Sequence, residues 1–188
     1  MKSPINHTLE DIIGLFNQCF LTSHNTELVS GVGEPIYLPA TETQRHHRIE
    51  FANGFYQSAL HEIAHWCQAG EQRRQQVDYG YWYIGDGRNK QQQAAFETVE
   101  IKPQAIEWGL SVCCGMAFNV SSDNLDGAPV NRLAFQHQVY DQVRDYLVNG
   151  FPKRAQVLMQ AMCRHYFDAK LEQRLTLEHF NYRGMYER

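Results

Sequence analysis

Apolar residues set the first element. Leu9, Ile12, Ile13, Phe16, Cys19 and Phe20 recur at helical spacing behind Thr8, which forms a capping-box pattern with Asp11 in place of Glu. A helix over residues 8–21 is predicted. From 25 to 52 the pattern changes, and Gly31, Gly33, Pro35 and Pro39 punctuate it. Two short runs there, at 35–38 and 48–51, read as strands of a small sheet. Phe55, Ala59, Leu60, Ile63, Ala64 and Cys67 predict a second helix from near Gly54 to Gly70, a residue suited to a helix end. Residues 77–84 alternate, with Tyr79, Tyr81 and Tyr83 on one face and Trp82 on the other, which predicts a strand. Pro103 sits where a first-turn proline would, so a helix is predicted to start there and run through Ile106, Leu110, Cys113 and Cys114 toward Gly115. Residues 118–124 read as irregular or a short strand, 131–148 as a long helix, 152–167 as another and 176–180 as a short last one. The fold class implied is α+β: a mostly helical single domain over 1–188, with a small antiparallel sheet packed near the second helix.

The second helix carries the chemistry. His61-Glu62-Ile63-Ala64-His65 is an HExxH pattern. Residues four apart lie about 40° apart around a helix, so both imidazoles leave from one face and can share one cation. Glu62 is offset enough to reach a metal-bound water without being a ligand. Burying two histidines and a glutamate on a half-buried helix is costly unless they are paired or ligate a metal.

A third ligand is required. Gln68 stands where the three-histidine pattern wants glycine and Glu71 where it wants the third histidine, so that version is excluded. A downstream carboxylate remains, from Glu97, Glu100 or Glu107. Glu97 reads as a solvated loop charge. Glu100 lies between Val99 and Ile101 just ahead of the Pro103 turn, and Glu107 lies on the helix beside Trp108; position alone leaves these two open. Two histidines and one carboxylate leave open coordination positions. Zinc would use them to activate water for hydrolysis, with Glu62 as base. Iron(II) would use them for dioxygen, as in facial-triad oxygenases. Such a helix pair against a short sheet is also similar to a metallopeptidase core.

Composition narrows the context. The 188 residues are 43% hydrophobic and 20% charged, too apolar for disorder. No run approaches about 18 apolar residues, and no apolar leader opens the chain, so neither a membrane span nor secretion is expected and a cytoplasmic setting follows. A net charge of −4 speaks against nucleic acid as a partner. Five cysteines without a CxxC pair read as reduced core thiols. Of nine histidines, seven read as loop, surface or capping residues, His46 and His47 among them. Tyr79, Tyr81, Tyr83 and Trp82 are read mainly as core, with Tyr81 a candidate lining residue for a substrate groove. Asp123 is a turn residue that could also face a substrate ammonium group.

Five blocks, EPIYLPA (34–40), HEIAHWCQAG (61–70), DYGYWY (78–83), VEIKPQAIEW (99–108) and FNVSSDNL (118–125), together resemble the bacterial elongation factor P hydroxylase family. The resemblance spans about residues 8–167. It implies hydroxylation of the lysine of elongation factor P that already carries a β-lysyl group. The enzyme implied is a monooxygenase-type oxidoreductase that uses Fe(II) and dioxygen outside the 2-oxoglutarate class. Another divalent metal is able to occupy the site in a purified sample. By its place in the VEIKPQA block the resemblance implies Glu100 as third ligand beside His61 and His65, with Glu107 orienting an imidazole N–H. Elongation factor P is then the partner, with no membrane or nucleic acid, and the acidic net charge suits a cationic lysine substrate. Glu62 would serve acid–base or positioning chemistry. The alternative on the same ligands is a zinc metallopeptidase with Glu62 as general base; a third is a non-catalytic metal-binding protein.

Overall fold

The computed structural model describes residues 5–80, 86–122 and 124–182. Helix α1 (Leu9–Phe20) starts where expected: the Thr8 hydroxyl accepts from the Asp11 N–H at 3.1 Å and donates to the Asp11 carboxylate at 2.8 Å. Its buried face is Ile12, Phe16 and Phe20. Three strands follow, β1 (Thr26–Ser30), β2 (Ile36–Leu38) and β3 (His47–Phe51), in spatial order β1-β3-β2. The two expected strands, β2 and β3, pair antiparallel. The sheet as a whole is mixed, because β1 pairs parallel to β3 in the register Leu28↔Ile49. Strand β1 escapes the sequence pattern because only Thr26 and Leu28 of TELVS are buried, and Thr, Glu and Ser make the segment look like a loop.

Helix α2 (Tyr56–Gln68) packs on β3, α1, α5 (Lys153–Phe167) and, most extensively, α3 (Lys90–Cys114). Its C-terminal carbonyls are capped from outside. One Nη of Arg154 donates to the Trp66, Cys67 and Ala69 carbonyls, and its guanidinium lies 4.7 Å from the Trp66 ring centroid.

Helix α3 corrects the sequence reading. Pro103 does not begin it; it lies inside a 25-residue helix. The true start is a capping box between Asn89 and Gln92, hidden in a polar run. Pro103 withholds the donor that the Val99 carbonyl would use, at a place where Val99 is 40% exposed and water can replace it. The helix ends at Gly115, in the left-handed conformation at φ 78°, where Met116 N–H closes on the Ser111 carbonyl at 2.9 Å. At Gly109 it comes so close to α5 that a Cβ would lie 2.6 Å from Met159 Cε and 2.8 Å from Phe151 Cε1.

Helix α4 (Arg132–Asn149) and α5 match expectation within a residue or so, and a four-residue α6 (Leu171–Arg174) precedes a 3-10 turn at Leu177–His179 in place of the expected last helix. Residues 118–122 are irregular. The strand expected over 77–84 is not formed in its described part. Val77–Gly80 is a 3-10 turn in which Asp78, Tyr79 and Gly80 have φ of 47°, 59° and 68°, which no strand tolerates. Tyr79 stacks on Tyr37 in the core, with ring centroids 4.5 Å apart. All five cysteines are free and four are buried.

Candidate metal centre

His61 and His65 leave α2 one turn apart, with ring centroids 4.7 Å apart and planes at 71°. Their Nε2 atoms converge to 3.1 Å. Glu100, on the facing turn of α3 and 2% exposed, brings Oε1 to 3.2 Å from His65 Nε2 and Oε2 to 3.7 Å from His61 Nε2. Three ligating atoms thus lie within 4.8 Å of one another, the one such group of three among the described residues. Atoms bound about 2.1 Å from a common ion at roughly tetrahedral or octahedral angles are about 3.0–3.4 Å apart. The 3.1 Å between the two Nε2 atoms and the 3.2 Å from His65 Nε2 to Glu100 Oε1 fall in that range; the 3.7 Å separation from His61 Nε2 is to the other oxygen, Oε2. The residues present therefore fit a divalent cation.

Glu107 occupies a different place. Its Oε2 lies 2.8 Å from Nδ1 of His61, on the side of the ring away from Glu100. In the neutral ring, with Nδ1–H donating to Glu107, the His61 lone pair sits on Nε2 and points at His65 and Glu100. Glu100 and Glu107 are seven residues apart on one helix, so one face of α3 supplies both a carboxylate at the would-be ion and a carboxylate behind the imidazole.

Electron-pair donors that converge in a buried pocket need a cation, or failing that a proton. Burial opposes protonation of His61, but the hydrogen bond and charge of Glu107 and the charges of Glu100 and Glu62 outweigh it and raise its pKa to about 10. Burial would raise Glu100, yet the charges and hydrogen bonds of His65, His61 and Gln104 bring it down to about 2. Flanked by Glu107 and Glu100, His61 is thus biased toward its protonated form wherever no cation competes for the same electron pairs.

Glu62 is half-buried, and it accepts no hydrogen bond from any described residue. Burial raises its pKa; His61 and His65 oppose this, while Glu100 and Asp78 add to it. A carboxyl so placed is suited to hold a proton next to the histidines.

Of the other expectations, Glu97 is not a loop residue but lies on α3, where it accepts from Gln93 at 2.9 Å. Tyr81, Trp82, Tyr83 and Asp123 lie outside the described residues. His46 contacts Asn25, and His47 begins β3 with Nδ1 3.1 Å from Ala40 N. Sequence reading missed Gln104, which is 1% exposed and donates to Glu100 at 3.2 Å. Its one signal in the sequence is the four-residue spacing from Glu100, which a helix starting at Pro103 conceals.

Residues 15–176 match the profile of a family described as elongation factor P hydroxylase. The chain belongs to the elongation factor P hydroxylase family. All five blocks quoted from the sequence lie inside the matched stretch. Within this family, the protein of Haemophilus influenzae named elongation factor P lysine hydroxylase is 51% identical over 162 residues, 86% of this chain and 91% of that one. The matched region carries His61, Glu62, His65, Glu100 and Glu107 together, so the convergent group lies within the part of the chain that defines the family.

Proposed function

We propose that this chain hydroxylates a lysine of elongation factor P, and that His61, His65 and Glu100 hold a divalent metal, iron(II), for that reaction. The observation that carries the reading is family membership, joined to a histidine-histidine-glutamate group of ligating geometry. Membership separates hydroxylation from the peptidase chemistry that the same three ligands would permit. Iron(II) bound there would supply the activation of dioxygen needed to oxidise a C–H bond. The β-lysylated form of the lysine is the substrate implied by the sequence resemblance.

The remaining roles belong to this chain's own side chains. Glu107 takes the Nδ1–H of His61, which keeps Nε2 free as a ligand and fixes the ring. Glu62, with its raised pKa, holds or accepts a proton beside the site. Glu107 beside His61 and Asp78 near Glu62 give the pocket a negative potential that favours the ammonium groups of a lysine-bearing segment. Elongation factor P is the proposed partner and the cytoplasm, where translation occurs, the proposed location. None of the described helices is long and apolar enough to cross a membrane.

The test is mass spectrometry of β-lysylated elongation factor P after incubation with the protein, iron(II) and air. One oxygen atom should be gained on the modified lysine, and the gain should vanish with His61→Ala. Zinc-dependent peptide cleavage without oxygen gain, abolished by Glu62→Gln, would instead establish the peptidase reading.

A further inference from the structure

The buried side chain of Gln104 stands between the proposed ligand Glu100 and the irregular segment at 118–122. Its amide has no freedom. One N–H donates to Glu100 Oε2 at 3.2 Å and the other to the Ser121 carbonyl at 2.7 Å, while its Oε1 accepts the Ser121 N–H at 2.9 Å. Flipping the amide would set its oxygen against two acceptors and its NH2 against a donor, so the orientation is determined by its partners. The main-chain N–H and C=O of Ser121 therefore grip Gln104, and Gln104 grips one oxygen of Glu100. The adjacent residue is anchored in the same way: Gln93, three turns back on α3, donates to the Ser122 carbonyl at 3.1 Å and to Glu97 at 2.9 Å.

We infer that Gln104 is a positioning residue for the metal: anchored by the Ser121 main chain, it occupies Oε2 of Glu100 and leaves Oε1, the oxygen 3.2 Å from His65 Nε2, to face the ion. This rests on the reading of His61, His65 and Glu100 as a metal site. A buried carboxylate on a four-bond side chain has several rotamers, and a second donor is what selects one. Reserving one oxygen also keeps Glu100 from spending both on the ion, which preserves the open positions that oxygen chemistry needs. Gln104 acts through Glu100 and does not touch the reacting atoms.

The test uses the full chain and cobalt(II) alone as probe. Affinity is read by competition with a chromophoric chelator, and ligand geometry by the visible absorption of bound cobalt. Gln104→Met, similar in length but without hydrogen bonds, should weaken cobalt binding about 10–100-fold and alter the cobalt spectrum. Gln104→Asn keeps an amide but is one methylene too short to join Ser121 to Glu100, so it should show the same two effects; it serves if the Met variant does not fold. Wild-type affinity and spectrum in a folded variant would overturn the inference and leave Gln104 as a strap for the loop. Failure of the metal reading looks different: the wild-type protein itself would bind cobalt no better than His61→Ala.

Discussion

The contact between Glu107 and His61 makes a quantitative claim about metal binding. Oε2 lies 2.8 Å from Nδ1, and the Glu107 side chain is 15% exposed, so the pair is a largely desolvated, charge-assisted hydrogen bond. Glu107→Gln keeps the shape and an acceptor oxygen but removes the charge. Hydrogen bonds to charged groups contribute about 1.5–3 kcal/mol net, and neutral ones about 0.5–1.5 kcal/mol, so the change costs about 1 kcal/mol. That is roughly a fivefold loss of metal affinity. Glu107→Ala removes the bond and leaves Nδ1–H without an acceptor, for a loss of about 2–3 kcal/mol, or roughly 30–140-fold. Chelator competition with cobalt(II) measures both, run as a pH series so that the proton His61 gives up on binding, itself favoured by Glu107, is separated from the loss of the hydrogen bond. The expected order is wild type, then Gln, then Ala, with hydroxylation largely restored at saturating metal because Glu107 lies behind Nδ1 of His61 and outside the convergent group. If both variants bind within about twofold of wild type, the hydrogen bond does not tune His61 and the reasoning fails.

Gly109→Ala gains about 1 kcal/mol of helix propensity but forces a methyl against Met159 and Phe151 at 2.6 and 2.8 Å. Overpacking of that kind costs about 1–3 kcal/mol, so urea unfolding should report net destabilisation; a more stable variant would mean that α3 and α5 are less closely packed than described. The metal-free protein should lose stability at both pH extremes. The folded pKa of His61 is raised from 6.5 to about 10, so its contribution is complete below 6.5 and fades as pH rises toward 10. The folded pKa of Glu100 is lowered from 4.5 to about 2, so its contribution is complete above 4.5 and is lost as pH falls toward 2. Saturating metal replaces the proton and should abolish the alkaline decline in thermal midpoint; an alkaline limb unchanged by metal contradicts the assignment. Arg154→Leu should destabilise the protein by about 1–3 kcal/mol in the same urea assay, because buried carbonyls at the end of α2 lose a charged donor.

The parts of the fold that were legible in the sequence share a physical cause. Helices α1 and α2 bury one face each, so their apolar spacing is legible, with a capping signal at the start of α1, and the HExxH pattern lies on the second. Strand β1 was silent because a strand with two buried positions has too short a pattern to read. The Tyr79 region misled because alternating aromatics suggest a strand, whereas the chain turns there through two non-glycine residues at positive φ. Pro103 had the largest consequence for the site. Taking it as a helix start left Glu100 outside the helix and hid its relation to Gln104 and Glu107, four and seven residues on along the same face. Glu100 and Glu107 then competed for one role, although the helix gives each its own: one beside Nε2 of His61 and His65, one behind Nδ1 of His61. Seven of the nine histidines lie outside this convergent group, and His47, expected with His46 as an exposed loop pair, is instead a half-buried first residue of β3.

The central claim is that this chain uses a metal held by His61, His65 and Glu100 to place an oxygen atom from dioxygen on a lysine of elongation factor P. The most direct measurement is mass spectrometry of β-lysylated elongation factor P after reaction with the iron(II)-loaded protein under heavy-isotope dioxygen in ordinary water. The account predicts one heavy oxygen atom on the modified lysine, absent with Glu100→Ala. A lysine that gains no oxygen, or gains it only from the water, would contradict it.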